Sequence, residues 1–304
     1  MHKLAVRAVL AAVLGLSLLA SACGSSGGGS PSKGTVTMGA QSFSEDIALA
    51  YMYGGVLKEN GYTVNYKVTG EITRPVLAPA MQRGEVDAYA GYTASDLEYY
   101  DGKKGLATQD AKANASKLNS YLPKGVKALA PSPAVDENSF VVSGDTASKY
   151  HLKSVSDLKS VADQLVLGGP PDCPGRKDCL GGLESTYGLH FKSFKPLDIG
   201  GPNTVAALEH GDIQVALLFS TNGVIAANHW TVLQDDKHIV SADAVVPIVR
   251  TKAVGPDAQS LMNQVSAKIS TSDLTSINKQ TDVDKGDPKD AANAWLKSHG
   301  YKAA

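Results

Sequence analysis

The chain has 304 residues, 43% hydrophobic and 19% charged, which is ordinary globular composition with apolar mass for two cores. A formal net charge of −1 excludes the broad basic footprint that nucleic acid or another polyanion would need. The three cysteines and seven histidines show no ligand spacing, which argues against a metal, and no motif calls for a cofactor.

Residues 1–23 read as a targeting segment: Lys3 and Arg7, then an apolar run from Val9 to Leu19 too short for a comfortable membrane span, then small residues up to Cys23. The segment resembles a bacterial lipoprotein signal, in which Cys23 becomes the lipidated N-terminus. Ala20 departs from the leucine usual three residues before that cysteine. Ordinary secretion with cleavage near Ala22 is the alternative. A Gly/Ser-rich tether, residues 24–33, suits a domain held at a membrane surface. Its Ser30-x-x-Lys33 spacing recurs at Ser156/Lys159 and Ser276/Lys279 and reads as chance rather than as a nucleophile motif.

Beyond the tether, apolar runs alternate with helical patterns. Thr35 to Met38 predicts a strand, and Ser44-Glu45-Asp46 predicts a helix start with acids in its first turn, running to about Asn60. Tyr62 to Val68 reads as a strand, Thr73 as the cap of a helix through Arg83, and Val86 to Ala90 as a short buried strand, with Tyr89 packed in the core. A helix over Ser154 to Ala162 and a strand over Leu165 to Leu167 follow. Pro202 to His210 predicts a helix, Ile213 to Phe219 a strand, and the chain ends in helices at about 257–270, 272–280 and 288–299. Strands separated by helices indicate a mostly parallel α/β sheet.

Cys173 and Cys179 lie in DCPGRKDC, and export favours a disulfide between them. So small a loop contributes about 2 kcal/mol in the loop-entropy account.

GEVDAYAGYTAS (84–95) and GDIQVALLFSTN (211–222) repeat one pattern 127 residues apart. Each ends on a ring followed by a small hydroxyl, Tyr92-Thr93 and Phe219-Ser220, and the same offset aligns Pro75 with Pro202. Two similar lobes suggest a cleft between them, with one ring from each aimed into it from just past a strand's carboxyl end. The other reading is that helix–Gly–strand units look alike and both rings are core.

The stretches MGAQSFSED (38–46), GEVDAYAGYT (84–93), YGLHFKSFKPLDIG (187–200), ALEHGDIQVALLFSTNG (207–223), VLQDDKH (232–238) and VVPIVR (245–250) resemble the substrate-binding proteins of osmoprotectant ABC importers, which take up glycine betaine, carnitine and choline. DVDKGDPKDAANAWLKSHG (282–300) fits as well. The resemblance implies a periplasmic-binding-protein-like α/β fold of two lobes, residues 34–136 plus 244–304 and residues 137–243, closing like a trap. Crossing strands are expected near Val135 to Ser139 and Ser241 to Val245.

It also implies a box of rings around a quaternary ammonium. Such a cation donates no hydrogen bond, whereas each dry ring face contributes about 0.5–2 kcal/mol. By that resemblance Tyr92, Phe140 and Phe219 stand for box rings, Gln41 and Ser95 for polar ligand contacts, and Arg176 for a carboxylate grip. Asn222 is a further candidate, with helix capping as its other role, as for Ser95. Relatives place a tyrosine where Asp243 stands, so the ligand is either paired with a carboxylate or is a different amine.

The expected partners are a small cationic or zwitterionic solute, an ABC permease with its ATPase acting in trans, and the outer face of the membrane through Cys23, with the chain as a monomer. A sensing lipoprotein without a transport role is the alternative. An enzyme is disfavoured because the chain lacks GxSxG, HExxH and a phosphate loop.

Overall fold

The computed structural model describes residues 32–102, 104–198 and 200–303. The targeting segment, Cys23 and nearly all of the tether lie outside these. Strand β1 (Thr35–Gly39) buries Val36 and Met38 on one face and leads to helix α1 (Ser44–Glu59). Strand β2 (Thr63–Lys67) then runs parallel beside β1. Helix α2 (Arg74–Arg83) has Pro75 in its first turn, where no N–H is needed, and stops at Gly84 (φ +81°). Strand β3 (Ala88–Tyr92) is buried along its whole length and pairs parallel with β1. Helix α3 (Thr93–Tyr100) follows without a loop, then α4 (Ala111–Asn119) and the short β4 (Val126–Ala128).

The chain then enters a second sheet through β5 (Asn138–Val142) and α5 (Gly144–Tyr150). The helix expected over 154–162 is a pair of tight 3-10 turns, Val155–Ser160 and Ala162–Gln164, because serines and β-branched residues support α-helix poorly. Strand β6 (Val166–Gly169) leads to the Cys173–Cys179 disulfide and to α6 (Leu180–Gly182), a single turn. Then come β7 (Ser193–Pro196), α7 (Pro202–Glu209), β8 (Val215–Phe219), α8 (Gly223–Ala227) and β9 (Thr231–Leu233). The chain returns to the first sheet as β10 (Val245–Arg250) and ends in α9 (Pro256–Ser266), α10 (Thr271–Asn278) and α11 (Pro288–Ser298).

The two sheets have orders β2-β1-β3-β10-β4 and β7-β6-β8-β5-β9. Both are mixed, which corrects the mostly parallel expectation. β10 runs antiparallel to β3 and β4, and β5 antiparallel to β8 and β9. These are the two strands that arrive from the other sheet, so they enter from the cleft side and run against their neighbours. The crossings lie side by side, with Val135 bridging Ala244. Each sheet has its own apolar layers, one built around α1, α9 and α11 and another around Phe140, Leu183 and Tyr187.

The repeat is structural. β3 and β8 are offset by the same 127 residues, and each follows a glycine with positive φ, Gly84 and Gly211. Tyr92 and Phe219 are the last residues of these strands rather than the first beyond them. Among the described residues, no helix is long and apolar enough to cross a membrane.

Candidate functional site: an acidic, ring-lined cleft

The carboxyl ends of β3 and β8 face each other, and three rings meet there. Phe43, just before α1, lies 6.1 Å from Tyr92 and 6.4 Å from Phe219, centroid to centroid. Phe43, from the connection between β1 and α1, and Phe219, from the end of β8 in the other sheet, stack at 23°. Tyr92 is buried, and its hydroxyl donates to Glu45 Oε1 at 2.7 Å. Phe43 is missing from the sequence-derived set although it lies in the motif SFSED. Its position just before a helix start masked a second role.

Glu45 ties the sheets together. Its Oε2 accepts from Asn278 Nδ2 at 2.6 Å and lies 2.8 Å from Thr221 Oγ1. That same hydroxyl lies 2.6 Å from Asp136 Oδ1, on the first crossing. Glu45 and Asp136 are both buried. Burial is the main cause that raises both carboxyls above their ordinary range; hydrogen bonds from Tyr92, Asn278 and Thr221 partly offset this for Glu45, and the neighbouring Glu45 adds to it for Asp136. The sequence reading took Glu45 for an ordinary first-turn acid.

A small cavity of about 30 Å³ lies beside these groups, with Phe219, Ser95, Glu98, Asp136, Asp178 and Asp243 in its wall. Asp243 is buried and serves α3: its carboxylate accepts from the N–H groups of Ala94 (2.7 Å) and Ser95 (3.2 Å) and from Ser95 Oγ (2.5 Å). Burial nevertheless raises its carboxyl to about 6. Glu98, on the next turn of α3, makes no hydrogen bond among the described residues. Burial and the nearby Asp178 push its carboxyl up to about 7.

Arg176 reaches this wall indirectly. Its Nε and Nη2 grip Asp178 at 2.9 and 2.5 Å, and Asn138 Nδ2 donates to the same carboxylate at 2.6 Å.

The remaining candidates sit elsewhere. Phe140 is core, which corrects its expected place in the box. It shares a strand face with the cavity-lining Asn138 but lies two residues deeper, about 7 Å, paired with Leu217 and Leu233. Asn222 caps α8: its Oδ1 accepts from Val224 N–H at 3.1 Å, and its Nδ2 donates to the Gly200 carbonyl at 3.1 Å. Gln41 is outside the cavity wall, and its N–H donates to Asp46 Oδ2 at 2.7 Å. Among the described residues, no cluster of His, Cys, Asp and Glu could hold a metal.

Two α/β lobes joined by paired crossings, with rings from both at the strand ends, define a two-lobed solute-binding protein. Residues 34–298 match the substrate-binding domain of the ABC-type glycine betaine transport system, and the chain belongs to that family. It is 27% identical over 299 residues to the carnitine transport binding protein OpuCC of Listeria monocytogenes, covering 94% of this chain and 93% of that protein. It is 26% identical over 279 residues to the glycine betaine-binding protein YehZ of Escherichia coli, covering 88% and 91%. A crystal structure described as a glycine betaine/carnitine/choline ABC transporter superposes with a TM-score of 0.73 at 27% identity, covering 88% of this chain and 99% of that one.

Proposed function

We propose that the chain captures a small solute bearing a quaternary ammonium, of the glycine betaine, choline or carnitine kind, and delivers it to an ABC permease and its ATPase. The observation that carries this reading is the meeting of Phe43, Tyr92 and Phe219 where the two repeats end, with Phe219 alone of the three also lining the neighbouring acidic cavity. Ring faces attract a cation that cannot hydrogen-bond, and carboxylates add charge. The names of the relatives point the same way. In this reading Tyr92, Phe219 and Phe43 enclose the cation, and residues 34–136 plus 244–304 close against 137–243 as two lobes. The chain acts as a monomer, without catalysis, outside the cytoplasm and held to the membrane by lipid on Cys23.

The test is calorimetry against glycine betaine, choline, carnitine, proline betaine and ergothioneine. At least one should bind at roughly micromolar strength, about −8 kcal/mol. Tyr92→Ala should weaken that binding at least about tenfold. Binding of no cation, with tight binding of an anion, would sink the proposal.

A further inference from the structure

We propose that this cleft selects solutes of net positive charge over zwitterions, because the protein's own carboxylates already occupy the groups that would hold a ligand carboxylate. The inference rests on the quaternary-ammonium reading and narrows it.

A bound carboxylate needs donors, and two sets here are suited to the task. The first is the start of α3, where free N–H groups point out of a helix end. Those of Ala94 and Ser95, together with the Ser95 hydroxyl, are all spent on Asp243. The second is the planar fork of Arg176. Two of its nitrogens grip Asp178, and the third lies 3.9 Å from Asp172. Asn138, the amide side chain in the cavity wall, also donates to Asp178.

The acceptors are in the opposite condition. Glu98 has no hydrogen-bond partner among the described residues, though the charge of Arg176 acts on it from nearby. Asp136 is only 6% exposed and faces the cavity, yet among the described residues no hydrogen bond reaches its Oδ2. No lysine or arginine is among the described residues of the cavity wall. A second carboxylate brought by a ligand would be desolvated beside Glu98, Asp178 and Asp243, where among the described residues of the wall only the Ser241 hydroxyl and one Asn138 amide proton are left as side-chain donors, too few to offset the crowded acids. An ammonium finds acidic groups already in place, and a hydroxyl tail can donate to Asp136 Oδ2 or to Glu98.

Choline and glycine betaine test this, since they share a trimethylammonium head and differ in a hydroxyl or carboxylate tail. Calorimetry at pH 7.5 should show choline binding at least about tenfold more tightly. Glu98→Gln removes a charge from a group without a hydrogen-bond partner, so the fold should survive it. Choline should weaken by about tenfold in this variant while betaine holds or improves, which narrows the gap between them. Glycine betaine binding the native chain as tightly as choline overturns the selection and leaves the quaternary-ammonium reading intact. Absence of binding by these and every other cation overturns both. An unchanged choline-to-betaine ratio in Glu98→Gln removes Glu98 from the selection.

Discussion

Thr221 has one hydroxyl proton and two carboxyl neighbours, Glu45 at 2.8 Å and Asp136 at 2.6 Å. It can donate to only one, so the other contact needs a proton on a carboxyl. The pair therefore keeps a proton to higher pH than isolated acids would. Glu98, raised from 4.5 to about 7, and Asp243, raised from 3.8 to about 6, behave alike. Between about pH 4.5 and 7 the folded chain holds more protons than the unfolded chain, so its stability falls as pH rises through that window. Thermal melts should show a higher midpoint at pH 5.5 than at pH 7.5, and Glu98→Gln should flatten the slope. A midpoint that climbs with pH over this range would refute the assignment.

None of this was legible from the sequence, where Glu45 reads as a favourable first-turn acid and Asp136 only as part of an expected crossing strand. Burial of a carboxyl depends on what a distant segment brings against it, here Thr221 and Asn278. Asp243 shows the same limit. The sequence marked it as a departure from a tyrosine, but not that its carboxylate would close on the amides of α3.

At the level of elements the 127-residue repeat was the most informative signal, because helix, glycine stop and strand are local in origin. Pro75 and Pro202 start α2 and α7, and Gly84 and Gly211 turn left-handed before β3 and β8. Ring placement was harder. Tyr92 and Phe219 end their strands, whereas Phe140 lies two residues inside a strand and falls in the core, a difference of about 7 Å that spacing alone does not resolve.

The contact between α8 and the segment after α10 was not legible either. A Cβ on Gly223 would meet the backbone N and Cα of Lys279 at 2.6 Å, and backbone cannot move aside as a side chain can. Gly223→Ala should therefore cost about 1–3 kcal/mol of stability and weaken solute binding as the lobes are pushed apart. Denaturant melts and calorimetry on the same variant check both. Native stability with native affinity would show that the contact is dispensable.

At the scale of the molecule, the two-lobed plan followed from the repeat and the family motifs, while the mixed character of the sheets did not. Direction is decided by the crossings, and a strand written as a plain apolar run, such as VVPIVR, carries no mark of the side from which it enters.

The stack of Phe43 on Phe219 spans the two sheets, so any hinge motion that parts them wets both faces, and any closure dries them again. Removal of apolar surface from water lowers the heat capacity. A solute that draws the lobes together should thus bind with an enthalpy that grows more negative on warming. One that sits on a single lobe should leave the enthalpy nearly flat. Titrations at 10, 20 and 30 °C, set at about equal saturation, would separate the two, making temperature a direct gauge of whether the trap has shut.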